Sequence, residues 1–157
     1  MEVSVGVQAV IIENNKILTI KKRDDDSSDA TYILPGGKQE FGETLEQAVC
    51  REVFEEVGIA VNVDDFLFLR EFIGANHENA EANKNLQIVS PIFLCSIKSS
   101  NDIPLTPPNP DPDQIGVEWI PLNELVKLRF YPKELIPQLI KVGNGNKPSR
   151  CYVGDIN

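Results

Sequence analysis

The 157-residue sequence predicts an α+β domain, a sheet with helices packed on it, and three observations carry that expectation. Strand-patterned segments stand on both sides of one long amphipathic segment, further helical segments follow near the end, and no internal repeat or low-complexity tract interrupts them. A sandwich of sheet and helices accommodates that order, whereas a barrel or a helical bundle does not. A chain of this length buries most of its apolar surface without disulfide or metal staples, so residues 1–157 are read as one domain.

The elements follow in order. Residues 3–12 are rich in β-branched side chains, Glu13-Asn14-Asn15 is a turn, and residues 17–22 make a second strand, together a hairpin. A short strand at 32–34 leads into Pro35-Gly36-Gly37, where the backbone can approach a ligand closely. Thr44 with Gln47 three places on is a capping box and Gly58 is a helix stop, so a helix spans 45–57. Its Val49, Cys50, Val53, Phe54 and Val57 share one apolar side. Residues 59–63 and 66–73 read as two strands, 75–85 as a polar connection and 86–97 as a long strand. Pro104, Pro107, Pro108, Pro110 and Pro112 bar that segment from a sheet interior. Then come a strand at 115–120, a short helix at 122–128, a helix at 133–142 that tolerates Pro137 poorly, a loop at 143–148 and a last strand at 151–156.

Within the helix, Glu52, Glu55 and Glu56 lie on one stripe beside the apolar side. Like charges at that spacing repel, and hard divalent cations take such oxygen ligands. A solvated acidic helix face is the plain alternative. What separates the two is the register: Gly37, five free residues, Glu43, seven free, Arg51-Glu52-Val53, one free, Glu55-Glu56, one free, Gly58-Ile59. Seven specified and two aliphatic residues in register arise by chance on the order of once in a billion start positions.

That segment resembles the Nudix box without a departure, and the chain is thereby similar to the Nudix (MutT-like) hydrolases. The resemblance implies a Nudix-type α/β/α sandwich with a mixed β-sheet. It also implies hydrolysis of a pyrophosphate linkage in a nucleoside diphosphate joined to another moiety, with Mg²⁺ or Mn²⁺. Water attacks one phosphorus of the P–O–P bridge while cations offset the charge of the leaving phosphate. By the same resemblance Glu52 and Glu56 are the main metal ligands, Glu55 is a further one, and the carbonyl of Gly36 joins them. Glu43 and Arg51 pair to hold loop against helix. An acidic residue from the loop before the 115–120 strand serves metal or water; Asp113 fits best, with Asp111 and Glu118 as runners-up. Arg23, at the end of the second strand, is a candidate for substrate or phosphate contact, and Tyr32 for base stacking, against a surface arginine and a core tyrosine as the plain readings.

Composition bounds the partners. A formal charge of −9 disfavours duplex nucleic acid and anionic membranes, while leaving polyphosphates open through bridging cations. Cys50, Cys95 and Cys151 have no metal spacing and read as reduced thiols. The first residues lack a signal-peptide pattern and no stretch approaches a membrane span, which points to the cytosol. The acidic run at 24–29 lacks the glycine and glutamate of a calcium loop, and His77 reads as a surface residue. Two other functions fit the same box: a non-catalytic nucleotide sensor, disfavoured by its completeness, and RNA 5′-end processing, disfavoured by the charge. Residues 24–30, 75–85 and 104–114 are expected to select the substrate among ADP-ribose, sugar nucleotides, dinucleoside polyphosphates and nucleoside triphosphates, and a homodimer is open.

Overall fold

The computed structural model describes residues 2–23, 29–99 and 106–157; most of the acidic run, 24–28, and the start of the proline segment, 100–105, lie outside them. Among the described residues nine strands and three α-helices follow one another: β1 Glu2–Glu13, β2 Lys16–Lys22, β3 Thr31–Ile33, β4 Gly36–Lys38, α1 Leu45–Val57, β5 Val61–Ile73, α2 Ala80–Asn83, β6 Leu86–Ile97, β7 Gln114–Pro121, β8 Arg129–Tyr131, α3 Ile136–Gly143 and β9 Tyr152–Asp155.

The sheet is mixed, as expected, and it is split near its middle. Asn14 and Asn15 adopt positive φ and close the hairpin, but β1 and β2 pair only beside the turn, at Ile12–Ile17 and Glu13–Lys16. Beyond it they part. β2 runs antiparallel to β3 and β7, while β1 runs parallel to β6 and takes β4 on its freed edge through Gly6–Lys38, Val7–Gly37 and Gln8–Gly36. The glycine segment expected to be a loop is therefore pinned as a three-residue strand.

Period-two alternation along β1 sorts its side chains between two cores. Val7, Ala9 and Ile11 meet Ala48, Val49, Val53 and Val57 of α1 on one face. Val10 faces the other way, where Leu34, Phe68, Phe130, Leu135 and Leu139 assemble under α3. The helices thus cover opposite faces of the sheet, which gives the α/β/α layering.

α1 has the bounds its caps predict: Thr44 Oγ1 accepts the Gln47 N–H at 3.2 Å, Gln47 returns a bond to the Thr44 N–H at 2.8 Å, and Gly58 sits at φ 85°. Several expectations are corrected. Phe54 is 52% exposed, outside the apolar side assigned to it, and Ala48 occupies the core instead. The two strands around residue 64 are one strand, β5, whose register against β6 slips twice, so bulges absorb the apparent break. The connection at 75–85 contains a 3₁₀ turn, Gly74–Asn76, and the single turn α2. Leu122–Lys127 is 3₁₀ rather than α-helical, and Pro137 lies in the first turn of α3, where its missing N–H has no helical acceptor to lose.

Replacing Thr44 with Ala should lower the unfolding free energy by about 1 kcal/mol, with Ser restoring most of it, because the hydroxyl is the acceptor at the helix start. Urea unfolding of the two variants tests this, and an equal loss in both would refute the assignment.

Candidate active site

Three segments meet at the last two turns of α1. Three of its last four carbonyls have partners: Phe54 O accepts the Gly58 N–H at 2.8 Å, Glu55 O the Asn109 N–H at 3.0 Å, and Glu56 O the Gln114 Nε2 at 2.7 Å. The segment before β7 is thus laid across the helix end. Gly58 permits the approach, since a Cβ there would stand 2.4 Å from Thr106 O.

From the other side come Gly36 and Gly37. The Gly36 N–H donates to Glu56 Oε2 at 2.8 Å. A Cβ on Gly36 would lie 2.1 Å from Val7 O, and one on Gly37 2.5 Å from the Glu52 carboxylate, so neither position accepts a side chain without a shift. Arg51 joins the loop to the helix face. Its Nε and Nη2 donate to both Glu43 oxygens at 3.1 and 2.7 Å, Nη2 also to Lys38 O at 3.0 Å, and Nη1 to Glu52 at 2.8 Å and Glu55 at 3.5 Å. Glu43 also accepts the Glu40 N–H at 2.7 Å, which fixes the turn carrying the fully exposed Phe41.

These groups line a cleft of about 950 Å³ that holds Glu52, Glu55, Glu56 and Asp111, with Phe41 and Pro110 among its other walls. Glu56 is only 2% exposed. Burial pushes its carboxyl up to about 8; the Gly36 N–H works against that rise, Asp111 and Glu52 add to it, and Lys22 opposes it. Glu52 is raised as well, by burial, with Arg51 opposing. Bonding to Arg51 holds Glu43 below the usual carboxylate range. Among the described residues no three acidic, thiol or imidazole groups are closed into a cage. Five carboxylates nevertheless line the cleft, Glu40 near its exposed turn and Glu52, Glu55, Glu56 and Asp111 beside one another, and oxygen donors of this kind are what a hard divalent cation accepts.

The structure brings together Gly36, Glu43, Arg51, Glu52, Glu55 and Glu56 from the sequence reading. It does not add Asp113. That side chain lines a second cavity, of about 640 Å³, which Arg23 also lines, and its backbone carbonyl accepts the Arg23 N–H at 2.9 Å. Asp111, a runner-up, is the late acid in the cleft; Glu118 pairs with Lys21 at 2.8 Å. Tyr32 is buried in the core under α3, with the Lys21 ammonium 5.7 Å from its ring centre, so it packs rather than presenting a stacking face. His77 is not a plain surface residue: it stacks on Phe72 and its Nε2 lies 2.6 Å from Asp155 Oδ1. The three cysteines are free, and burial pushes the Cys95 thiol up to about 12. Lys22, weaker than Arg23 as a sequence candidate for phosphate contact, pairs with Asp111 and Asp113; Asn109 and Gln114 were not legible as site residues, because their roles depend on where a distant loop lands.

A mixed-sheet sandwich with a carboxylate cleft between a glycine strand and a capped helix defines a class of phosphate-handling hydrolases. The sequence matches the NUDIX domain over residues 3–139, and the chain belongs to that family, as a pyrophosphohydrolase. An ADP-ribose pyrophosphatase of Methanocaldococcus jannaschii is 28% identical over 142 residues, covering 90% of this chain and 76% of the relative. A MutT NUDIX hydrolase structure from Burkholderia pseudomallei superposes at TM-score 0.65 with 27% identity, over 88% of this chain and 98% of that one. A NUDIX hydrolase from Nitrosomonas europaea reaches 0.70 at 21% identity, over 93% and 92%, and shares the fold.

Glu56 gives a pH signature. Its folded value near 8 stands above the ordinary 4.5, so the folded protein retains a proton that the unfolded chain releases. That contribution to stability is fully present below about pH 4.5 and is lost as pH rises to about 8, at up to about 1.4 kcal/mol per pH unit. Chelator-treated protein should lose unfolding free energy between pH 5 and pH 8, and Glu56→Gln should flatten the slope. An unchanged slope in the variant would place the titrating group elsewhere.

Proposed function

We propose that the protein hydrolyses the pyrophosphate linkage of a nucleoside diphosphate joined to a second moiety, as one domain over residues 1–157, with Mg²⁺ or Mn²⁺ as cofactor. The observation that carries this reading is the buried Glu56 carboxylate, set against the Gly36 N–H in a cleft it shares with Glu52, Glu55 and Asp111. An anion held in that place, with others beside it, is stabilised by a cation it can share.

Glu52 and Glu56 would hold the ion, with Glu55 and the Gly36 carbonyl completing the set. A divalent ion bound there supplies positive charge to the phosphate oxygens and acidity to a water. Arg51 and Glu43 keep the three glutamates in register and touch no substrate. Gly36 and Gly37 let β4 pack directly against Val7 and the Glu52 carboxylate, which a side chain at either position would disturb. Asp111, not Asp113, is the late acid that serves the metal or the attacking water, since it alone of the two lines the cleft. Arg23 serves the part of the substrate that extends into the second cavity. The relative named as an ADP-ribose pyrophosphatase supports a nucleoside diphosphate on one side of the linkage. A charge of −9 supports a small nucleotide over RNA 5′ ends, duplex nucleic acid or an anionic membrane, and the reading places the protein in the cytosol.

Chelation should abolish turnover on a panel of ADP-ribose, sugar nucleotides, dinucleoside polyphosphates and nucleoside triphosphates. Glu52→Gln and Glu56→Gln should each lower kcat by at least ~10²-fold, about 2.7 kcal/mol, with the fold intact by circular dichroism. Full turnover in excess chelator would eliminate the metal-dependent reading, and binding without turnover of any panel member would favour a sensor. Asp111→Asn should reduce kcat more than Asp113→Asn; the reverse order would return the role to Asp113.

A further inference from the structure

Lys22 stands at the junction of the two cavities. Its Nζ lies 3.0 Å from Asp111 Oδ2 and 3.2 Å from Asp113 Oδ1, and its side chain is largely shielded from solvent. Asp111 faces the cleft with the glutamates, Asp113 and Lys22 line the second cavity, and Glu56 lies in the field of both Asp111 and Lys22. The ammonium is therefore a counter-ion to the acid that completes the carboxylate set. Arg51 cannot take that place, because its donors are spent on Glu43, Lys38 O, Glu52 and Glu55.

A monovalent ammonium and a divalent cation want the same Asp111 oxygens, and both cannot have them at full strength in one small space. Resting on the reading above, we infer that Lys22 is a placeholder cation. It holds Asp111 while the cleft carries no divalent ion and yields it when one binds, and its ammonium then takes a phosphate oxygen that bridges cleft and second cavity. Lys22 is the last residue of β2. Its pairing with β7 shifts register between Lys21 and Lys22, so the strand is irregular at the residue that must change partners. The acids facing Lys22 from the packed segments are Asp111, Asp113 and, at longer range, Glu56.

The test is Mn²⁺ affinity of the full chain without nucleotide, read from the electron paramagnetic resonance signal of free Mn²⁺. Lys22→Met should tighten Mn²⁺ binding about threefold to tenfold, and Lys22→Arg, which keeps the charge, should stay near the wild-type value. In an Asp111→Asn background Lys22→Met should have no further effect. An unchanged or weaker affinity in Lys22→Met, or the same tightening with and without Asp111, would overturn the inference, the latter by reducing Lys22 to a general field. Lys22→Gln is read in the same way should the methionine variant not fold. With Mn²⁺ saturating, Lys22→Met should weaken binding of inorganic pyrophosphate about tenfold by calorimetry, and unchanged binding would remove the phosphate role. Failure of the hydrolase reading is seen separately: wild-type protein would then neither bind Mn²⁺ nor turn over any pyrophosphate substrate, and both proposals would fall.

Discussion

A carboxylate that is almost wholly removed from water needs compensation, and Glu56 receives one backbone N–H, from Gly36. Together with the Arg51 bond to Lys38 O, that bond ties α1 to β4. It requires glycine at 36, because a side chain there would run into the Val7 backbone, while a side chain at 37 would displace the Glu52 carboxylate. It also requires β4 to sit on β1, which is possible only because β2 leaves β1 after two residue pairs and turns to β7. The split in the sheet is thus what lets β4 reach the buried Glu56 carboxyl group. A continuous hairpin would cover the edge of β1 that the glycines occupy.

The remaining charge on that helix face is managed by position. Three glutamates on adjacent turns repel, and Arg51 sits among them with its fork closed on Glu43. A bidentate pair of this kind is geometrically stiff, so the guanidinium offers Glu52 and Glu55 a fixed donor. The helix end is stiffened independently, by Asn109 and Gln114, which belong to the segment that carries Asp111. Capping and acid delivery are therefore one event: the loop that satisfies carbonyls of α1 brings the Asp111 carboxylate to the cleft.

Local chemistry was legible in the sequence and long-range placement was not. Thr44, Gln47 and Gly58 give both ends of α1 correctly because caps are settled within a few residues. The stripe of glutamates and the Glu43–Arg51 pair follow from helical spacing and a shared register. Phe54 fails the same reasoning, since period alone cannot say how wide a face the sheet covers. β4 and β8, three residues each, carry no periodicity to detect. Without β8 there is no Phe130 beside β3, and Tyr32 then looks available when it is in fact packed. The choice between Asp111 and Asp113 turns on which side of a two-residue step faces α1, and tertiary docking of the loop decides that.

The two cavities are built on different principles. The cleft rests on caps, glycines and the buried carboxyl group of Glu56. The second cavity has walls from Glu78, Asn79 and Asn83, on the connection between β5 and β6, and that connection is held by polar side chains. Asp155 of β9 accepts from Ile73 N–H and from Asn76 and pairs with His77, while Glu78 accepts from Tyr131 and Lys133. β9 is in turn anchored where the buried Arg70 donates to Ile156 O at 3.0 Å. Of these, the bonds of Asn76, Tyr131 and Lys133 are exposed, and such bonds contribute modestly and tolerate exchange. Changes in the clasped connection can therefore reshape the second cavity while the carboxylates stay in register, and the physical separation lies along β2, at Lys22.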